Sequence, residues 1–130
     1  MNGHRLPPDV LAKLERRGEP YDERAYLFVL AGIEFLQTSL PERRHVTGAE
    51  VTHACREFAL EQFGLIAREV LEHWGIRETR DFGKIVYALV DAGLLVTQPG
   101  DRIEDFQDVY SFERAFEQAY VWRGTLGLEN

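Results

Sequence analysis

Hydrophobic residues recur at helical spacing along most of the chain, and the gaps between these runs carry helix start and stop signals. Pro7-Pro8-Asp9 opens a short first helix, about Asp9 to Arg17, which Gly18 closes. Asp22 caps a second helix from about Glu23 to Leu40, ended by Pro41. Its Tyr26, Leu27, Phe28, Val29, Leu30, Ile33, Phe35 and Leu36 cover nearly every face. A helix apolar all round is buried on most sides, so this one is expected to be the spine of the core. A short extended link, Arg43-Arg44-His45-Val46, leads to Thr47-x-x-Glu50, a capping box for a third helix that stops at Gly64. Val51, Ala54, Cys55, Phe58 and Gln62 share one face of that helix, and Glu50, His53, Glu57 and Glu61 another. A fourth helix, about Leu65 to Trp74, sets Ile66, Ala67, Val70, Leu71 and Trp74 on one side. Thr79 caps a fifth, in which Phe82, Ile85, Val86 and Leu89 keep clean helical spacing until Gly93.

The pattern changes after Gly93. Leu94-Leu95-Val96-Thr97 reads as a short strand, Gln98-Pro99-Gly100-Asp101 as a turn, and Arg102 to Tyr110 as a poorly alternating return strand. A helix that passes into an apolar run and a Pro-Gly turn is how a winged-helix domain joins its third helix to its wing. The expected fold class is therefore mostly α: a compact helical domain with a small β-hairpin, winged-helix-like over residues 22 to 110. Ser111 caps a last helix carrying Phe112, Phe116 and Tyr120. The expected layout is an N-terminal helical extension (1–20), one domain (21–123) and a frayed tail (124–130). An internal echo links Asp22-x-x-x-Tyr26-Leu27-Phe28-x-Leu30 to Asp81-x-x-x-Ile85-Val86-Tyr87-x-Leu89. Two capped, buried helices produce such a likeness without any repeat.

A chain of 130 residues is long enough for one domain with its own core. The formal charge of −7 argues against bulk attraction to phosphate backbones or anionic lipid. A single cysteine, Cys55, excludes an intramolecular disulfide, and no signal-like segment opens the sequence, so a cytoplasmic location is expected. The longest uncharged apolar run, Ala25 to Ile33, falls well short of the roughly 20 residues of a membrane span.

Catalytic chemistry finds little footing. Neither Ser39 nor Ser111 sits in a Gly-x-Ser-x-Gly elbow, and no Gly-rich phosphate cradle occurs. Cys55, on an apolar helix face, reads as a core residue with a raised pKa. No catalytic residue and no cofactor are assigned. Glu50-x-x-His53 has the spacing of carboxylate-bridged di-iron helices, Glu42-x-x-His45 repeats it outside a good helix, and Glu69 and His73 lie one turn apart. A mononuclear site can be drawn from His53, Glu57 and His73, but no sequence feature brings them together. A solvated acidic face is the simpler reading, and a small metal-dependent enzyme ranks third among the functional readings. Asp101, Glu104, Asp105 and Asp108 lack the spacing of a calcium loop.

Two binding readings rank higher. A winged helix places the helix before the wing in the major groove, which nominates Arg77, Arg80 and Lys84 for a nucleic-acid-binding regulator. Glu78, Asp81 and Asp91 oppose these charges, and the expected wing is acidic. The leading reading is a non-enzymatic protein–protein interaction module with a protein partner, using Asp101, Glu104, Asp105, Asp108 and Tyr110. The tail supports it with more aromatic surface (Phe106, Tyr110, Phe112, Phe116, Tyr120 and Trp122) than one terminal helix needs for docking. A core-closing aromatic cluster is the competing account of the same residues.

Several blocks in order also resemble a bacterial family: residues 21–30 (Tyr21-Asp22-Glu23-Arg24-Ala25 onward), Arg44-His45-Val46-Thr47-Gly48, Ala59-Leu60-Glu61-Gln62-Phe63-Gly64, Val70-Leu71-Glu72-His73-Trp74-Gly75-Ile76 and Asp81-Phe82-Gly83-Lys84-Ile85-Val86. The family is known mainly from planctomycetes and verrucomicrobia as an uncharacterised repeat protein. The resemblance runs from Tyr21 to Phe116. It implies a small cytoplasmic bacterial protein, and it carries over no activity and no catalytic residue.

Overall fold

The computed structural model describes residues 5–118, and its second, third and fifth helices begin where side chains accept from free backbone N–H groups. The order is α1 (Pro8–Arg17), α2 (Glu23–Ser39), α3 (Gly48–Phe63), α4 (Ala67–His73) and α5 (Thr79–Asp91). Asp22 Oδ1 accepts from Arg24 N at 2.9 Å at the start of α2. At α3 the capping box is complete: Glu50 N donates to Thr47 Oγ1 (3.1 Å) and Thr47 N to Glu50 Oε1 (2.9 Å).

The start of α5 departs from expectation. Its N-cap is Glu78, one residue before Thr79. Asp81 Oδ2 reaches back to the N–H groups of Arg77 (2.8 Å) and Glu78 (3.1 Å), while Oδ1 accepts from the Tyr21 hydroxyl at 2.5 Å. Thr79 is buried and its Oγ1 accepts from Val109 N (3.2 Å). The echo between Asp22 and Asp81 therefore joins unlike positions, a cap in α2 and a first-turn residue in α5.

α2 packs most extensively against α3 and also against α5, and α1 lies on α5. Leu6, Val10 and Leu14 join the same core as Val29, Cys55, Leu71 and Ile76. The most enclosed helix is α5, whose Phe82, Ile85, Ala88 and Leu89 are fully buried. α2 is less of a spine than its composition predicts: Leu27, Leu30, Ile33, Phe35 and Leu36 are only half-buried. Between α3 and α4 the chain makes a 3-10 turn, Gly64–Ile66, which leaves Leu65 and Ile66 exposed. Gln62 is also exposed. No helix among the described residues is long and apolar enough to cross a membrane.

The expected β-hairpin is absent, and with it the winged-helix likeness; the domain is helical, with no strand among the described residues. α5 does end at Gly93 (φ 92°), with Leu94 N bonded to Leu89 O (2.9 Å) and Gly93 N to Val90 O (3.0 Å). Leu94–Thr97 then runs without regular structure. The turn at Gln98–Asp101 forms, closed by Asp101 N to Gln98 O (3.0 Å) and Gln98 N to Asp101 Oδ2 (2.8 Å). Beyond it the chain does not return along Leu94–Thr97. It enters a 3-10 turn, Ile103–Phe106, capped by Asp105 Oδ2 on Arg102 N (3.0 Å).

The cause is Phe106. Its buried side chain enters a slot between α3 and α5 where two glycines leave the backbone bare. A Cβ on Gly48 would stand 2.9 Å from Phe106 Cε1, and one on Gly83 would stand 2.8 Å from both Cγ and Cδ1. Seating that ring while Asp105 caps Arg102 holds the segment in a helical turn. Local alternation, already weak, cannot compete with burial of an aromatic side chain.

The aromatic tail also turns inward. Phe112 and Phe116 are buried and pack edge to face at 5.0 Å, within a π-helical turn, Glu113–Gln118, that Phe112 precedes. Tyr110 lies beside both rings, and its hydroxyl donates to Thr52 O (2.9 Å). Tyr120, Trp122 and the 124–130 tail lie outside the described residues.

A test follows from the slot. Gly83→Ala would add about 1 kcal/mol of helix propensity on its own. The atoms it meets are at the base of the Phe106 side chain, so the 3-10 turn itself must move, at a cost of about 1–3 kcal/mol. Gly83→Ala should therefore destabilise the wild type yet stabilise a Phe106→Gly background, in which the Cβ of residue 106, otherwise 3.0 Å away, is removed as well. Urea unfolding of the two single variants and the double variant would expose this reversal of sign. Equal effects in both backgrounds would refute the slot.

Candidate functional site

The loops around the seated Phe106 frame a concavity. It is a cleft of about 340 Å³ walled by α2, α5, the Arg43–Val46 link and the segment that follows Gly93. Its apolar surface comes from Ile33, Val46, Val86, Leu95 and Phe106, with Leu94 and Val96 at the mouth. Val96 is 88% exposed and Leu94 38%. The two loops meet where His45 Nε2 lies 3.1 Å from Asp101 Oδ1, a contact between residues 56 positions apart.

The charges on the two sides of the cleft differ. Arg43 grips both Glu34 oxygens (3.0 and 3.1 Å), and Arg44 grips both Glu50 oxygens (3.2 and 2.8 Å). These guanidiniums are thus locally neutralised. On the opposite side Asp101, Arg102 and Asp105 line the cleft, while Glu104 and Asp108, from the same stretch of chain, lie outside its lining. The side chains of Glu104 and Asp108 make no hydrogen bond or ion pair among the described residues. The field of this corner registers on Tyr87, whose phenol is held above its ordinary value by burial and by Asp101, Asp105 and Glu104.

The other residues nominated from sequence fall elsewhere. Tyr110 directs its hydroxyl into the protein, and burial pushes its phenol well up. Of the basic trio, Arg80 donates to Gln107 Oε1 at 2.8 Å, while Arg77 and Lys84 form no ion pair among the described residues. All three sit on or just before α5, against which the acidic 3-10 turn packs. No group of three His, Cys, Asp or Glu able to hold a metal ion assembles among the described residues, so His53, Glu57 and His73 are not brought together. Glu50 is engaged by Arg44 and by its own helix cap, His53 packs on the Tyr110 ring (centroids 5.7 Å apart), and His45 faces Asp101. Cys55 is fully buried, and burial pushes its thiol up to about 12.

Sequence reasoning found the acidic turn and the apolar segment at Leu94–Thr97, but not the cleft between them. The contribution of Arg43, Arg44 and His45 to its wall depends on a loop contact that has no local sequence signal. No protein-family model, no curated protein and no solved structure matches this chain. The site therefore rests on its own geometry.

One consequence for pH dependence can be measured. The Arg44 guanidinium, and then the Thr47 N–H, hold the Glu50 carboxyl down at about 2 against an ordinary 4.5. A folded-state pKa below the unfolded value gives stability that is present above the ordinary value and lost as pH falls through the folded one. The Arg44–Glu50 pair is largely open to solvent, whose screening keeps the effect small. Urea melts between pH 5 and pH 2 should show the wild type losing its advantage over Glu50→Gln as the pH drops. An advantage independent of pH would refute the assignment.

Proposed function

We propose that this chain is a non-enzymatic protein–protein interaction module. It engages its partner at the acidic corner formed by Asp101, Glu104, Asp105 and Asp108 and through the adjoining cleft. One observation carries the reading: the carboxylates of Asp101 and Asp105 and the exposed apolar side chains Leu94 and Val96 line the same cleft, and the unpaired Glu104 is near enough to act on its Tyr87. Apolar centres with polar rims are the usual anatomy of recognition surfaces. The mostly internal packing of the described aromatic tail moves the interaction surface away from Tyr110 and onto the cleft mouth. The nucleic-acid reading depended on a wing that the fold lacks, and its basic residues lie beside an acidic turn. The likeness to the planctomycete and verrucomicrobial family agrees with a small bacterial protein and adds no residue.

The test is affinity capture from bacterial extract with three matched baits. Wild type is compared with Glu104→Gln/Asp108→Asn/Val96→Ser and with Arg77→Glu/Lys84→Glu. Asn is chosen at Asp108 because its backbone there is left-handed (φ 53°), a conformation Asn tolerates. The reading expects a protein held by the wild type and the basic-site variant and lost from the cleft variant. Nuclease-sensitive material lost only from the basic-site variant would replace it with nucleic-acid binding.

A further inference from the structure

Leu94-Leu95-Val96-Thr97 has the composition of a strand and, in this structure, no strand to pair with. Its backbone is correspondingly idle. Leu94 N bonds back to Leu89 O and Gln98 N to Asp101, but the N–H groups of Leu95, Val96 and Thr97 and their three carbonyls make no hydrogen bond among the described residues. Backbone donors and acceptors are normally paired within the protein, or left to water or a ligand. Three successive idle peptide units at the mouth of an apolar cleft form a template for an incoming chain.

Resting on the interaction-module reading, we infer that Leu95–Thr97 is a docking strand. It is completed by an extended segment of a protein partner in which small apolar residues are flanked by Lys or Arg. Backbone pairing with Leu95–Thr97 supplies the register. Alternate side chains of the segment point into the cleft, whose 340 Å³ admits one or two side chains but not the face of a helix. The basic flanks follow from the charge. Arg43 and Arg44 are already neutralised by Glu34 and Glu50, whereas Asp101 and Asp105 line the cleft against Arg102 alone, with the unpaired Glu104 near enough to act on Tyr87. The same charge disfavours a second copy as the occupant, because pairing two such corners would bring like carboxylates together in a chain of net charge −7.

The probe is a blocked pentapeptide, Lys-Val-Thr-Val-Lys, titrated into the ¹⁵N-labelled full chain and followed by NMR. Two controls accompany it: the same peptide N-methylated at alternate residues, and a Glu-flanked version. Expected are amide shifts centred on Leu95, Val96 and Thr97, slowed hydrogen exchange at Val96, whose N–H faces the added strand while those of Leu95 and Thr97 face the opposite edge, and binding weakened about tenfold by N-methylation. The Glu-flanked peptide should also bind more weakly, by a margin that shrinks with salt. Val96→Pro, which removes a donor that the fold does not use, should abolish these shifts, while Val96→Ala retains shifts at the neighbouring amides. Three results would overturn the inference: equal binding of the N-methylated peptide, shifts centred elsewhere, or no binding at about 1 mM. Sedimentation showing a dimer of the chain that Val96→Pro dissociates would assign the template to a second copy. Failure here, with the cleft variant still losing its partner in the capture experiment, would leave the interaction module standing and remove only the docking strand. Loss of both would remove the module as well.

Discussion

The seating of Phe106 in a slot of bare backbone is the contact on which the rest of the architecture turns. Gly48 opens α3, and Gly83 lies within α5, where a glycine weakens a helix by roughly 0.5–1 kcal/mol relative to alanine. Here the missing side chains admit an aromatic ring that ties the two helices to the segment beyond the Pro99-Gly100 turn. Burying a phenylalanine is worth about 1.5–3 kcal/mol, more than the helix penalty it offsets. The contact also fixes direction. Once the ring is seated, residues 103–106 must wind across α3 and α5, so they cannot return beside Leu94–Thr97 as a second strand.

Two features of the cleft follow from that one placement. First, the acidic residues are carried on a wound segment rather than a flat hairpin, so Asp101, Asp105 and Glu104 act together on Tyr87 from one side. Second, the apolar segment after Gly93 keeps its solvent-exposed character, because the chain that would have covered it is anchored elsewhere. His45 then meets Asp101 across the gap and joins the loop before α3 to the loop after α5. The recess belongs to no single element. It is the space left between two loops held apart by α2 and α5 and held together by one side-chain contact.

What was legible in the sequence was local. Asp22, the Thr47–Glu50 pair, Gly18 and Gly93 mark helix ends because each satisfies or releases backbone groups within one turn of itself. The spacing of Phe82, Ile85 and Leu89 identified a buried helix face because periodicity is itself a local property. The strand expected over residues 102–110 was illegible for the opposite reason. Gly48 and Gly83 carry no signal that they face the same ring, and Phe106 carries none that it has a slot to enter. α2 was over-read in the same way: its composition gave apolar residues on every face, but neighbouring helices cover only part of it. Tyr110 shows the limit for the site. An aromatic residue beside acids is ambiguous between an interface anchor and a core residue, and only the placement of Thr52 O decides where its hydroxyl goes.

The segment Leu94–Thr97 is where the local and the global preferences disagree. Its residues favour a strand, the tertiary structure provides no partner, and the result is an apolar stretch with idle peptide groups in a cleft that Asp101 and Asp105 also line. Elsewhere among the described residues the two levels agree more closely: side chains cap α2, α3 and α5, Gly18 and Gly93 end α1 and α5, and the Phe82, Ile85 and Leu89 face is buried, with the Leu65–Ile66 turn and part of α2 as exceptions. A sequence that is consistent at most positions and inconsistent at one concentrates its unmet interactions there. An exposed valine, three unpaired amides and a one-sided field are unfavourable for the isolated chain in different ways, through apolar hydration, unpaired polar groups and charge repulsion. A single extended, basic segment relieves all three at once, which neither a small anion nor a nucleic-acid backbone would do. That convergence, rather than any one of the features, is what singles out this corner.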